Sequence, residues 1–223
     1  MNANGFEKLH GIDEMDEKQM LTLCRTAEWL TRQKLSGTIE LYRPVKVQTG
    51  RTPRQTGARR IRRTNVMKRI GILGAGTWGM ALARMLTVSG NDVLVWSAIE
   101  KEIDSLSTTR KHPNLPQMKI PDELRFTKSI EEVCKDKDIL LFAVPSVFVR
   151  STAAKARPYV ADGQIIVDVA KGIEPDTLYT MTEILADELG KEGGPKGVRL
   201  VALSGPTHAE EVAIDLPTTI VSA

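Results

Sequence analysis

The chain has 223 residues, 41% of them hydrophobic and 26% charged, with a net charge of +3. That length and balance suit one large folded domain, or one ordinary domain plus an appendage, and no apolar run nears the roughly 18 residues that a membrane span needs. Cys24 and Cys134 are isolated and far apart, which excludes a disulfide framework and a cysteine-based metal spacing.

The net charge conceals an asymmetry. Ten of the 31 Lys and Arg residues fall between Arg43 and Arg69 with no acid among them, leaving 21 basic against 28 acidic residues elsewhere. Before this segment, MNANGFEKLHGIDEMDEK lacks the apolar core of a secretory signal, and a reducing cytoplasm is the expected setting. One amphipathic helix is predicted over about 13–35, with Met20, Leu23, Cys24, Ala27, Leu30 and Leu35 at helical spacing. Residues 43–66 are basic and nearly free of large apolar side chains, so they read as a disordered arm. No aromatic is interleaved there to stack on bases, so a solvated linker is favoured over a nucleic-acid contact. Residues 1–66 are thus expected to be an extension, with Met67 as the natural start of the folded part.

From Met67 the pattern changes to MKRIGILGAGTWG, a short apolar strand that runs into Gly74-Ala75-Gly76-Thr77-Trp78-Gly79 and then into a helix from Met80. In this strand–turn–helix context a GxGxxG has a mechanism. Gly74 permits the tight turn, Gly76 lets backbone approach a pyrophosphate, and Gly79 lets the helix pack close on the strand. A dinucleotide site is expected here. Gly90-Asn91 ends the helix, and a second strand follows at 93–96. After it comes Ser97-Ala98-Ile99, without the acid that would hold a ribose or the arginine that would meet a 2′-phosphate, so the preference between NAD and NADP is not written there.

A loop over 108–121, punctuated by Pro113, Pro116 and Pro121, precedes a short strand at 124–127 and a helix at 129–134 with a serine cap. Residues 138–144 (DILLFAV) form a continuous apolar strand, as a central parallel position requires. Pro145 ends it, and a helix is predicted to about Tyr159. Further strands are expected at 164–169, 199–203 and 218–221, with a helix over 175–189. This βαβα alternation predicts an α/β fold, a doubly wound parallel sheet of Rossmann type over 67–223. Ligands in such sheets lie beyond the carboxyl ends of the strands. Lys171 follows one strand directly and would point its ammonium into that crevice. Leu203-Ser204-Gly205-Pro206-Thr207-His208-Ala209 is a second strand–turn–helix elbow, with Thr207 as its expected helix cap and His208 as the bystander of that turn. No Ser/His/Asp arrangement or metal motif stands out, so hydrolysis and metal chemistry find no support.

GAGTWGMALA (74–83), HPNLP (112–116), FAVPS (142–146), AKGIE (170–174), LSGPTHAEEVA (203–213) and LPTTI (216–220) together resemble NAD(P)-dependent glycerol-3-phosphate dehydrogenase of the bacterial type, over about 67–223. The resemblance implies reversible hydride transfer between NAD(P)H and dihydroxyacetone phosphate, giving sn-glycerol 3-phosphate for phospholipid synthesis. It implies that Gly74, Gly76, Thr77, Trp78, Gly79, Ala98, Pro145 and Ala209 belong to the cofactor site. Lys171 serves cofactor, substrate and catalysis, and Gly205 and Thr207 help hold the phosphorylated substrate. Ala98 stands where many members carry a basic residue, and Asn114 where an aromatic is usual. In the family a helical substrate domain follows, with an acid/base lysine and an Asn-Arg pair for the phosphate. The sequence ends at Ala223 before such a segment, so the expectation is the cofactor portion alone, nearly inactive. A homo-oligomer is compatible with the sequence. The alternative is a non-catalytic dinucleotide-binding module whose basic arm serves a partner.

Overall fold

The computed structural model describes residues 67–223. The helix expected at 13–35, the basic arm at 43–66 and Cys24 lie outside the described residues. In chain order the elements are β1 (Arg69–Leu73), α1 (Thr77–Val88), β2 (Asp92–Trp96), α2 (Glu100–Thr109), β3 (Arg125–Thr127), α3 (Ile130–Cys134), β4 (Ile139–Phe142), α4 (Val149–Ala156), β5 (Ile165–Asp168), α5 (Met181–Leu189), β6 (Arg199–Ser204), α6 (Ala209–Val212) and β7 (Val221–Ser222). The strands form one seven-stranded sheet in the order β3-β2-β1-β4-β5-β6-β7. Strands β1 to β6 run parallel, and β7 closes the edge antiparallel to β6.

Strands β1, β2, β4 and β5 are buried on both sides, so their side chains divide by the two-residue period of the pleat. Ile70, Ile72, Val93, Val95, Leu141, Val167, Val169, Val201 and Leu203 face one apolar layer, against Met80, Ala81 and Leu82 of α1, Ile103 and Leu106 of α2, and Val212 of α6. The intervening Leu73, Leu94, Trp96, Leu140, Phe142 and Ile166 face the opposite layer, with Val133 of α3, Val149 and Ala153 of α4, and Ile184 and Leu185 of α5. Winding in both directions from the centre puts the reversal of strand order between β1 and β4. That is where a crevice opens at the carboxyl ends. Cys134 lies buried in the second layer, where burial pushes its thiol up to about 12, so it is inert packing.

Several boundaries differ from the sequence reading for local reasons. The helix expected from Pro175 begins only at Met181. Thr180 is its cap: its hydroxyl accepts the Glu183 N–H while the Glu183 carboxylate accepts the Thr180 N–H, a complete capping box. The preceding residues form a turn, with Glu174 N–H bonded to the Tyr179 carbonyl and Leu178 at φ 60°. The helix after Pro145 divides into 3-10 turns at Ser146–Phe148 and Arg157–Tyr159 flanking α4, and Pro158 lies in the second. The strand expected at 218–221 is confined to Val221–Ser222. Helix α2, unannounced in the sequence reading, buries only Ile103 and Leu106, too thin a stripe to stand out among its charges. Ser129 caps α3 as expected, its hydroxyl accepting the Glu132 N–H at 3.2 Å.

Phe142 is fully buried at the centre of the second layer. Phe142→Ala is expected to destabilise the fold by about 3–5 kcal/mol, read as a lower urea midpoint with an unchanged slope.

Candidate active site

The turn after β1 is built on steric contact. Gly74 has φ 121°, and a Cβ on it would sit 2.5 Å from the Ala143 carbonyl oxygen. A Cβ on Gly79 would sit 2.2 Å from the Gly74 carbonyl oxygen and 3.2 Å from the Ala143 Cβ. Neither neighbour is a flexible side-chain end, so both glycines are required for α1 to approach the junction of β1 and β4. Gly76 is different. Its φ is −66°, and a Cβ there would meet nothing within 4 Å. The space in front of it is open, as a backbone that must admit a ligand requires.

Helix α1 starts at Thr77, and its first bond runs from the Met80 N–H to the Gly76 carbonyl at 2.9 Å. The N–H groups of Thr77, Trp78 and Gly79 therefore lack helical partners, and no side chain caps them. With no acid in the first turn, the helix end offers donors and partial positive charge to an anion. A pyrophosphate fits that donor set.

Around this helix end lies a cavity of about 380 Å³. It is lined by Gly76, Thr77 and Trp78, by Ala143, Val144 and Pro145 after β4, by Val169, Ala170 and Lys171 after β5, and by Thr207, His208 and Ala209 after β6. The ends of four parallel strands thus converge, and Gly76, Thr77, Trp78, Pro145, Lys171, Thr207 and Ala209 come together as expected. Gly74 and Gly79 stand behind the wall and shape it. Ala98 is exposed at the end of β2, outside the lining.

Lys171 is the one formally charged side chain in the lining. Its Nζ donates to the Gly205 carbonyl at 3.0 Å and to Thr207 Oγ1 at 3.4 Å. Thr207 is therefore the lysine's partner and not a helix cap: α6 begins at Ala209, with His208 at the cap position and no side-chain bond. Gly205 has φ 140°, and a Cβ on it would meet the Thr219 carbonyl oxygen at 2.5 Å, so the elbow is held against the segment leading to β7. Beyond the lysine, Gly172 at φ 140° crosses within 3.2 Å of the Ser146 Cβ, measured from an added Cβ. Two residues on, Glu174 receives Arg150 through paired bonds of 2.7 Å, which hold its carboxyl down at about 2. Arg150 also reaches Asp187 on α5, so α4 and α5 jointly fix the exit of the lysine segment.

Three neighbours take places that the sequence reading does not assign them. His208 lines the cavity although it reads as a bystander. Ala143 is the close contact of both structural glycines. Asp168, the last residue of β5, is 4% exposed and accepts the Ala170 N–H at 3.2 Å, shaping the turn that presents Lys171. Burial pushes its carboxyl up to about 6. The available signal is an apolar strand ending in Asp three residues before a basic residue.

The comparisons with known proteins agree with this geometry. Residues 69–223 match the family described as NAD-dependent glycerol-3-phosphate dehydrogenase N-terminus. The chain belongs to this family. It is 69% identical over 157 residues to "Glycerol-3-phosphate dehydrogenase [NAD(P)+] 2" of Lactobacillus delbrueckii subsp. bulgaricus, covering 70% of this chain and 47% of that one. It is 48% identical over 157 residues to the enzyme of Agathobacter rectalis named "Glycerol-3-phosphate dehydrogenase [NAD(P)+]", covering 70% and 45%. Among solved structures, glycerol-3-phosphate dehydrogenase from Coxiella burnetii superposes with a TM-score of 0.60 at 30% identity, over 69% of this chain and 46% of that one. The chain spans about half the length of the curated relatives it matches. Among the described residues no group of three or more His, Cys, Asp and Glu could hold a metal ion, and no helix is long and apolar enough to cross a membrane.

The glycines separate fold from binding. Gly79→Ala is expected to lose the folded state, seen by circular dichroism. Gly76→Ala should keep the melting temperature within a few degrees while weakening NADH binding roughly tenfold or more in calorimetry. Asp168 gives a pH test. Its folded pKa lies above the usual carboxylate value, so its stabilising share is complete in acid and is lost as pH rises through about 6. Asp168→Asn is expected to stabilise the protein at neutral pH by roughly 1–3 kcal/mol and to flatten the stability profile between about pH 4 and about pH 6, as measured by denaturant unfolding.

Proposed function

We propose that residues 67–223 are the cofactor-binding domain of a glycerol-3-phosphate dehydrogenase that uses NADH or NADPH to reduce dihydroxyacetone phosphate to sn-glycerol 3-phosphate, a reversible reaction. The observation that carries this reading is the meeting, in one cavity, of an uncapped helix N-terminus at Gly76–Gly79 with the ammonium of Lys171. Family membership and the relatives' names supply the substrate.

The roles follow from the chemistry of the donors. The N–H groups of Thr77 to Gly79 hold the pyrophosphate, and Trp78, Val144 and Pro145 give the apolar wall along which the rest of the dinucleotide lies. A nicotinamide bound there supplies the hydride. Lys171 acts on the substrate side: held by Gly205 and Thr207, its ammonium stabilises negative charge as it develops on the carbonyl oxygen. Thr207 and the Gly205 turn flank the same substrate, and Ala209 bounds the cofactor. Ala98, at the end of β2, marks the adenosine end and offers it neither a carboxylate nor a cation. The part of the relatives' length that this chain does not span is assigned the proton donor and the phosphate contacts. The setting proposed is cytoplasmic, with phospholipid synthesis as the use of the product and assembly into a homo-oligomer.

Calorimetry with NADH and with NADPH tests this, followed by dihydroxyacetone phosphate added to the same sample while absorbance at the reduced-nicotinamide band is followed. Saturable binding of at least one dinucleotide with negligible oxidation is the expected result. Absence of binding would overturn the cofactor reading, and oxidation at an ordinary enzymatic rate would overturn the division of labour. Removing a general acid costs roughly 10²–10⁴-fold, and removing substrate orientation costs more.

A further inference from the structure

Beside the glycine-rich turn lies a buried imidazole that the proposed chemistry does not use. His112 is 4% exposed. Its Nδ1 accepts the Asn114 backbone N–H at 3.2 Å, and the ring lies close to the Ala75 backbone. Because Nδ1 accepts, the proton of the neutral ring sits on Nε2, its one remaining nitrogen. Ala75 is the middle residue of Gly74-Ala75-Gly76 and is itself buried. Asn114 adds a second grip, its Nδ2 donating to Thr77 Oγ1 at 3.3 Å. The His112–Asn114 segment therefore flanks Gly76, the residue with open space before it, lying beside Ala75 on one side and bonded to Thr77 on the other.

We propose that His112 is a positioning residue for dinucleotide binding: its neutral ring fixes the Gly76–Thr77 peptide through Ala75 and Asn114, and its protonation releases that peptide. The inference rests on the cavity being the dinucleotide site. A protonated ring has two donors and no acceptor, so Nδ1–H would face the Asn114 N–H, donor against donor. Burial already disfavours the cation and sets the pKa below its ordinary value. The charged group facing the ring is Glu102 of α2, which pulls the other way; the turn contributes backbone alone. Glu210 and Glu211 of α6 share with Asn114 the lining of a second cavity, of about 250 Å³. With the folded pKa depressed, the grip is complete above the ordinary histidine value of about 6.5 and is lost as pH falls through the lower folded value.

The test is calorimetric titration of the full chain with ADP-ribose, which carries the pyrophosphate without the nicotinamide, from about pH 8 to about pH 5.5. The unsubstituted protein should lose roughly threefold in affinity across the acid half of that range. His112→Asn keeps an acceptor and a donor without a titrating ring; it should bind within about threefold of the parent at about pH 8 and show a flat profile. His112→Phe fills the volume without the bond from Asn114, and should bind roughly tenfold more weakly at every pH while remaining folded by circular dichroism. Identical pH profiles for parent and His112→Asn would overturn the proposal, as would parental affinity in a folded His112→Phe. Should His112→Phe not fold, the His112→Asn profile decides alone. Absence of ADP-ribose binding by the parent at about pH 8 would overturn the cavity assignment, and the role of His112 with it.

Discussion

Everything at the site depends on how closely α1 approaches the start of the loop after β4. Gly74 and Gly79 meet each other and Ala143 at distances that leave no room for a side chain. Hard-sphere contact sets that geometry, and it aims the uncapped end of α1 over the crevice where the strand order reverses. Move α1 outward by the width of a methyl group and its first-turn donors no longer share a cavity with Lys171.

A second constraint concerns the lysine. An ammonium on a four-carbon stem is a mobile point charge, of little use unless it is aimed. Here two neighbours on the β6 elbow hold its end, a buried carboxyl at the end of β5 shapes its turn, and the Arg150–Glu174 pair anchors its exit. The pair is partly exposed and adds little to overall stability. Its consequence is local, joining the segment that carries Lys171 to α4 and α5. The positive charge then faces a lining otherwise without formal charge, the field an anionic ligand would seek.

Most of this fold is legible in the sequence, for physical reasons that differ from element to element. Strands β1, β2, β4 and β5 are buried on both faces, and continuous apolar runs such as Ile139–Phe142 announce them. The turn at Gly74–Gly79 is legible because each glycine answers a separate steric demand. Helix α2 is not, since two buried residues among charges carry no pattern. Proline suits a first helical turn and so suggests a start at Pro175, yet the reciprocal bonds of Thr180 and Glu183 set the start of α5. The type and place of Thr207 suggest a cap; its hydroxyl instead serves a lysine 36 residues away in sequence. Such a partnership is a fact of sheet order and cannot be seen along the chain. The contact between His112 and Ala75 is hidden for the same reason.

The central claim is that the first turn of α1 is the anion-binding end of a dinucleotide pocket closed by Lys171. Hydrogen exchange of the backbone amides, with and without saturating NADH, tests it most directly. The account predicts slowed exchange concentrated at Gly76–Met80 and in the Ala170–Gly172 and Thr207–Ala209 segments, with β3 and α3 unchanged. Protection that spares Gly76–Met80, or that centres on another edge of the sheet, would contradict it.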